Sequence, residues 1–323
     1  MRVPTVTGDV EVSDLGFTLM HEHLVLLQPE IELNFPGVWD EEAEIAKARA
    51  GLIRLRELGV VTLVDLTVYG LGRNIERVRR IVAGTGVNVI VATGMYAMAE
   101  LPKYFQRRGP GTVNGGPENL EEMFVAEIEN GIGSTGVHAG ILKCVTDQKG
   151  LTPDVERTLR AAARAHRRTG VPISTHADAG LCRGRDQQRV FRAEGVDLNR
   201  VIIGHCGDTT DLAYLQELMD AGSYAGMDRF GMDNRLPTAD RCATVAALAR
   251  LGYARRMVLS HDASYFSEGW DPVVKRTVLP DWQHGFISER VLPRLRELGV
   301  SEPDITQMMV TNPADIFAAQ NAY

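Results

Sequence analysis

Leu19-Met20-His21-Glu22-His23 closes a short apolar run, Gly16-Phe17-Thr18-Leu19-Met20, set between the turn-like Ser13-Asp14 and a polar loop beginning near Gln28. Its aromatic and β-branched residues suit a strand. Side chains alternate along a strand, so His21 and His23 share one face and Glu22 takes the other. Two imidazoles about 7 Å apart on one face, at a strand's end, can close on a single metal ion. An ion so held needs further ligands, and the pattern in which the rest of the chain offers them decides the fold.

Seven more apolar, β-rich segments follow Phe17–Met20: Val60–Leu66, Val87–Ala92, Val137–Leu142, Pro172–Thr175, Val201–Gly204, Ser223–Met227 and Met257–Ser260. Between most of them the period changes to that of a helix. Over Glu41–Leu58 the apolar Ile45, Ala48, Leu52 and Leu55 recur at helical spacing, and Gly59 stands where a left-handed cap is expected. Asn74 is placed to cap Ile75–Ala83, and Thr152-Pro153 opens an alanine-rich helix ending near Gly170. Leu212, Leu215 and Leu218 mark another, with Ala243–Leu251 and Glu289–Leu298 after it.

Strands alternating with helices imply parallel pairing through right-handed crossovers. Eight such units in 323 residues close most simply into a (β/α)8 TIM barrel, whose usual size is about 250 residues. The surplus falls in two loops, 97–118 after strand 3 and 263–285 after strand 8. A doubly wound open sheet would want a Gly-x-Gly-x-x-Gly after an early strand, and none stands there. With no repeat or linker, residues 1–323 read as one domain.

At 44% hydrophobic and 24% charged the composition is that of a globular protein, and the net charge of -7 argues against nucleic-acid or anionic-membrane partners. Met1–Val10 lacks the basic start and apolar core of a signal peptide, and no apolar run approaches bilayer length, so a cytoplasmic location is expected. Cys144, Cys182, Cys206 and Cys242 form no Cys-x-x-Cys pair. Free thiols are expected, with Cys144 facing away from its neighbour Lys143.

Chemistry in a barrel of this kind is built at the C-terminal ends of the strands. That position holds His21 and His23 on strand 1, Lys143 on strand 4, His176 on strand 5, His205 on strand 6 and Asp262 on strand 8. One histidine at a strand end is usually structural, and His138, His166 and His284 are read so. Asp262 alone would pass for a cap or turn residue. The coincidence of histidines and an aspartate at equivalent points on four strands is what indicates metal. Lys143 is the odd member, because an ammonium has donors and no acceptor. Reaction with carbon dioxide would turn it into a carboxylate-like bridge between two ions; the plainer alternative is a lysine paired with Asp147.

The set His21-x-His23, Ile-Leu-Lys143-Cys, Ser-Thr-His176, Gly-His205-Cys and Ser-His-Asp262 resembles the binuclear-metal amidohydrolase superfamily, and within it the phosphotriesterase family and its phosphotriesterase-like lactonases. The likeness extends to Gly226-Met227-Asp228-Arg229-Phe230-Gly231 and spans nearly the whole chain. It implies two divalent metal ions, zinc first among zinc, cobalt, manganese and iron. One would be held by His21, His23 and Asp262, the other by His176 and His205, with carboxylated Lys143 and a hydroxide between them. The hydroxide would attack the substrate, and Asp262 would pass its proton to the leaving alkoxide. Tyr96 and Arg229 match family positions beside the site. Tyr96 would donate a hydrogen bond to the oxygen gaining charge, while Arg229 either orients the ester or pins the next loop by pairing with Asp228 or Asp233.

The loop after strand 7 is short and ends where Leu236–Leu251 reads as helix; the loop after strand 8 is long and carries Tyr265, Phe266, Trp270 and Trp282. This pattern is similar to the lactonases, in which the long final loop forms an apolar channel for an acyl chain. The expected activity is therefore hydrolysis of lactones, N-acyl-homoserine lactones or simple γ- and δ-lactones, with weak action on organophosphate triesters. A true phosphotriesterase is the rival enzyme, and a non-catalytic, metal-stabilised interaction protein the rival of another class. The resemblance also implies a homodimer.

Overall fold

The structure, a computed structural model, describes residues 1–35, 37–318 and 321–323. Eight strands pair in parallel: β1 (Thr18–Glu22), β2 (Thr62–Asp65), β3 (Asn88–Gly94), β4 (Ile141–Thr146), β5 (Ile173–Ala177), β6 (Val201–Ile203), β7 (Tyr224–Met227) and β8 (Met257–Leu259). They lie side by side in chain order. Across the last gap, Asp262 N donates to His21 O at 2.9 Å and His21 N donates to Ser260 Oγ at 2.8 Å, which joins β8 to β1. The result is a (β/α)8 barrel.

The helices on its outside are α1 (Glu41–Glu57), α2 (Ile75–Val82), α3 (Asn119–Glu129), α4 (Pro153–Thr169), α5 (Arg183–Ala193), α6 (Leu212–Asp220), α7 (Thr238–Arg250) and α8 (Leu292–Glu297). The caps expected from sequence form. Asn74 Oδ1 accepts from Arg77 N at 3.1 Å, and Thr152 Oγ1 accepts from Val155 N at 3.2 Å. Gly59 and Gly170 sit at φ +91° and +78°, where a side chain would be strained. Ile45, Ala48, Leu52 and Leu55 are buried beneath α1, each larger aliphatic among them contributing roughly 1.5–3 kcal/mol.

Three elements differ from the sequence reading. The fourth strand runs over Ile141–Thr146, not Val137–Leu142; Ala139 N and Gly140 N bond Glu127 O and Val91 O as the chain approaches the sheet. Helix α7 starts at Thr238, between Leu236 and Ala243, the two starts read from the sequence. Helix α5 was not legible, because its buried residues include Gln187 and Gln188, which bond His176 O and Leu218 O instead of forming an apolar stripe.

Met20, Val64, Ile90, Ile141, Ile202, Tyr224 and Val258 fill the barrel, and Leu15, Ile316 and Phe317 pack at its N-terminal end. The pairing of β1 with β2 shifts register between Leu19 and Glu22. Such a bulge re-aims side chains: Met20 and His21, adjacent in sequence, both reach the interior, while Glu22 turns into the seam with β8. The loop after β3 carries a short helix, Lys103–Gln106. The loop after β8 holds Phe266–Ser267, paired in parallel with Val25–Leu26, and a helix at Pro272–Val278. All four cysteines are free. No helix of the described residues is long and apolar enough to cross a membrane.

Candidate metal centre

Every strand-end residue singled out in the sequence comes to the C-terminal mouth of the barrel. His21 and His23 leave β1, and each points its Nε2 at Asp262 Oδ1, at 3.4 and 3.2 Å. Lys143 projects from within β4 and His176 from within β5; His205 and Asp262 stand in the loops just past β6, which ends at Ile203, and β8, which ends at Leu259. His205 Nε2 lies 2.9 Å from His176 Nδ1 and 3.8 Å from Asp262 Oδ2. Lys143 Nζ lies 2.7 Å from His21 Nε2. All are buried except Asp262, which is 13% exposed at its side chain and so open to the mouth.

Each imidazole has one nitrogen tied outward. Asp228 accepts from His21 Nδ1 at 2.9 Å and from His205 Nδ1 at 2.7 Å. Asp147 Oδ2 accepts from His176 Nε2 at 3.0 Å, and Thr67 Oγ1 meets His23 Nδ1 at 2.8 Å. An outer carboxylate fixes the protonated nitrogen and leaves the other as a bare lone pair. His205 and His176 therefore turn two unprotonated nitrogens on one point, 2.9 Å apart. Lone pairs at that separation repel unless a cation lies against both, so the donor set fits metal ions. His21, His23 and Asp262 form a second such group, their ligand atoms all within 4.8 Å of one another. Asp228 also lies this close to His21 and His205, but its oxygens already take their outward N–H groups.

Electrostatics agree. Burial lowers the pKa of His21, His176 and His205, which keeps these rings neutral and able to donate lone pairs. Burial by itself would raise Asp262, yet the charges and hydrogen bonds around it, the Arg229 guanidinium among them, hold it well below the usual carboxylate range. Burial lowers Lys143 to about 8, partly offset by Asp262 and Asp228. Lys143 makes no salt bridge among the described residues, and Asp147, its alternative partner from the sequence, is engaged by His176 instead.

Arg229 pairs with neither Asp228 nor Asp233. Its Nε donates to Asp262 Oδ2 at 2.9 Å and its Nη1 to Asp208 Oδ2 at 2.8 Å, while Asp233 accepts from Thr238. Tyr96 stands edge-on to His176 at 5.8 Å, and burial pushes its phenol up to about 12, so it remains a donor. His205, Arg229 and Asp262 all have left-handed backbones, at φ +59°, +65° and +53°. Non-glycine residues held there cost free energy and concentrate at functional sites.

A profile of the phosphotriesterase family matches residues 1–317. The chain belongs to the phosphotriesterase family. It is 51% identical over 320 residues to a phosphotriesterase homology protein of Mycobacterium tuberculosis, across 99% of this chain and 98% of that one. It is 37% identical to an aryldialkylphosphatase of Saccharolobus solfataricus, across 98% of this chain and all of the other. A solved structure of the phosphotriesterase from Mycobacterium tuberculosis superposes with a TM-score of 0.99 at 50% identity, each chain covered completely. Members of the family are hydrolases, and the barrel above is the family's fold.

Thr67 and Asp208 were missed in the sequence, where Asp228 and Asp147 were named only as possible partners of Arg229 and Lys143 and not as partners of the histidines. Asp228 alone left a signal: it occupies, on strand 7, the strand-end position that was used to find the others. His138 and His166 are structural as expected, bonding Ile128 O and Val171 O, although His138 precedes β4 and does not lie on it.

Proposed function

We propose that the chain is a binuclear-metal lactonase with weak phosphotriesterase activity. The facing lone pairs of His176 and His205, beside the His21–His23–Asp262 group, are the observation that carries the reading. Those five residues would hold two divalent ions, zinc first, with Lys143 as a carbamate between them. Bound there, the ions would lower the pKa of water and polarise an ester oxygen.

The chain's own groups supply the rest. The Asp262 carboxylate, ionised and exposed at the mouth, accepts a proton from attacking water and returns it to the ring oxygen as the carbon–oxygen bond breaks, so that lactone plus water becomes a hydroxy acid. Arg229 aims that carboxylate. Tyr96 donates toward the oxygen that gains charge.

Lactone preference is supported by the loop after β8, which covers a cavity of about 350 Å³ whose apolar wall includes Leu55, Phe266, Trp270, Leu279 and Trp282. None of His21, His23, His176 and His205 lines the cavity; its lining residue His284 reaches the cluster through Nε2, 3.1 Å from His23 O. The likeness to an aryldialkylphosphatase favours a second reading, a true phosphotriesterase. Comparing kcat/KM for an N-acyl-homoserine lactone with that for paraoxon on the metal-loaded protein decides between them, and a large phosphotriester preference overturns ours. On the family resemblance we also propose a homodimer; sedimentation at monomer mass would reject it.

A further inference from the structure

Glu22 stands between two candidate ligands, yet it points away from them and is completely buried. Its Oε1 accepts from Ser260 Oγ at 2.8 Å, from His261 N at 2.8 Å and from His261 Nδ1 at 2.6 Å. Its Oε2 accepts from Ala263 N at 3.1 Å. These donors come from residues 260, 261 and 263, so one carboxylate grips the chain on both sides of Asp262. Ser260 Oγ in turn accepts from His21 N at 2.8 Å, and Asp262 N donates to His21 O at 2.9 Å. The left-handed backbone of Asp262 is the conformation this grip enforces against its steric cost.

His261 extends the grip. Its Nε2 accepts from Ile287 N at 2.9 Å, which leaves Nδ1 as the protonated nitrogen given to Glu22. Its carbonyl accepts from Trp282 Nε1 at 2.8 Å. Through its ring and its carbonyl, His261 thus ties Glu22 to both sides of the point where the 263–285 loop rejoins the barrel.

We infer that Glu22, with His261 as its brace, is a positioning residue that sets the turn carrying Asp262 and so aims the Asp262 carboxylate at the ions and at substrate. The inference rests on the metal-hydrolase reading above. Groups that orient metal ligands typically alter affinity or activity by about 10–100-fold when removed. Loss of a carboxylate that served only the β1–β8 seam would lower stability and leave both quantities alone in the folded protein.

Glu22→Gln nearly preserves shape but offers one acceptor oxygen where the wild type offers two, and sets an N–H against a donor. The expected result is a kcat lower by about 10–100-fold with KM within about twofold, and weaker retention of metal in competition with a chelator. The visible spectrum of the cobalt-substituted protein shifts as the Asp262 carboxylate turns. His261→Asn, which keeps one N–H, loses less kcat than His261→Ala. A lowered melting temperature with unchanged kcat, metal affinity and cobalt spectrum overturns the inference. Should Glu22→Gln fail to fold, Ser260→Ala carries the test, since it removes one donor to Glu22 and the acceptor of His21 N; an unchanged kcat and metal affinity there overturns it equally. A wild type that binds no metal is a failure of the proposed function instead.

Discussion

Arg229 donates to Asp262 at 2.9 Å through Nε while its Nη1 holds Asp208 at 2.8 Å. One planar fork spans two carboxylates from different strand ends, so the orientation of Asp262 depends on guanidinium geometry and not on positive charge alone. Lysine cannot reproduce that fork. Arg229→Lys is expected to lower kcat by about 10–100-fold although the charge is retained. Steady-state kinetics on the preferred ester check this, and a fully active lysine variant would show that charge suffices.

Asp228 accepts N–H groups from His21 and His205, which lie 207 and 23 positions from it in the chain. Asp228→Ala leaves those buried donors unpaired, at a cost of about 1–3 kcal/mol each, and frees both rings to turn. Metal affinity should drop by about 10–100-fold. Metal content after dialysis against a graded chelator measures it.

Removing metal should abolish turnover, and returning a divalent ion should restore it in the wild type. Lys143→Ala should not recover under the same treatment, because the group proposed to lie between the ions is missing. Elemental analysis alongside the assay distinguishes loss of metal from loss of chemistry.

His166 gives the fold a pH dependence away from the site. Burial lowers its pKa to about 4, with its ring between Val171 O and Tyr323 Oη. In the unfolded chain the value is about 6.5. Between these values the unfolded state binds the extra proton, so stability falls as pH drops from about 6.5 towards 4 and is unaffected above that window. From pH 7 to pH 5 this one residue accounts for about 2 kcal/mol of loss. Denaturant titrations at the two pH values should show His166→Phe losing that much less than the wild type between them.

The barrel was legible because its determinants are local. The helical stripe Ile45–Ala48–Leu52–Leu55, the caps at Asn74 and Thr152 and the glycine at 170 act over a few residues, and eight alternations leave little choice of topology. The strand-end donors were legible for a similar reason: barrel geometry gives each strand one such place, and histidine or aspartate there can be read from order alone. Helix α5 escaped because its buried side chains pair with distant carbonyl groups, and the start of β4 because main-chain bonds to neighbouring segments, not side-chain pattern, set it.

By itself, then, the sequence determined the fold class and which residues meet at the barrel mouth. Only the tertiary structure decided how they face: which nitrogen of each ring is tied outward, that Arg229 serves Asp262 and Asp208, that a bulge in β1 admits His21, and that Glu22 closes on the turn around Asp262. Those outcomes depend on hydrogen bonds between residues far apart in the chain, from 21 positions for Arg229 and Asp208 to 238 for Glu22 and Ser260. Their energy exists only once the barrel has closed, and no periodicity or spacing along the chain encodes it.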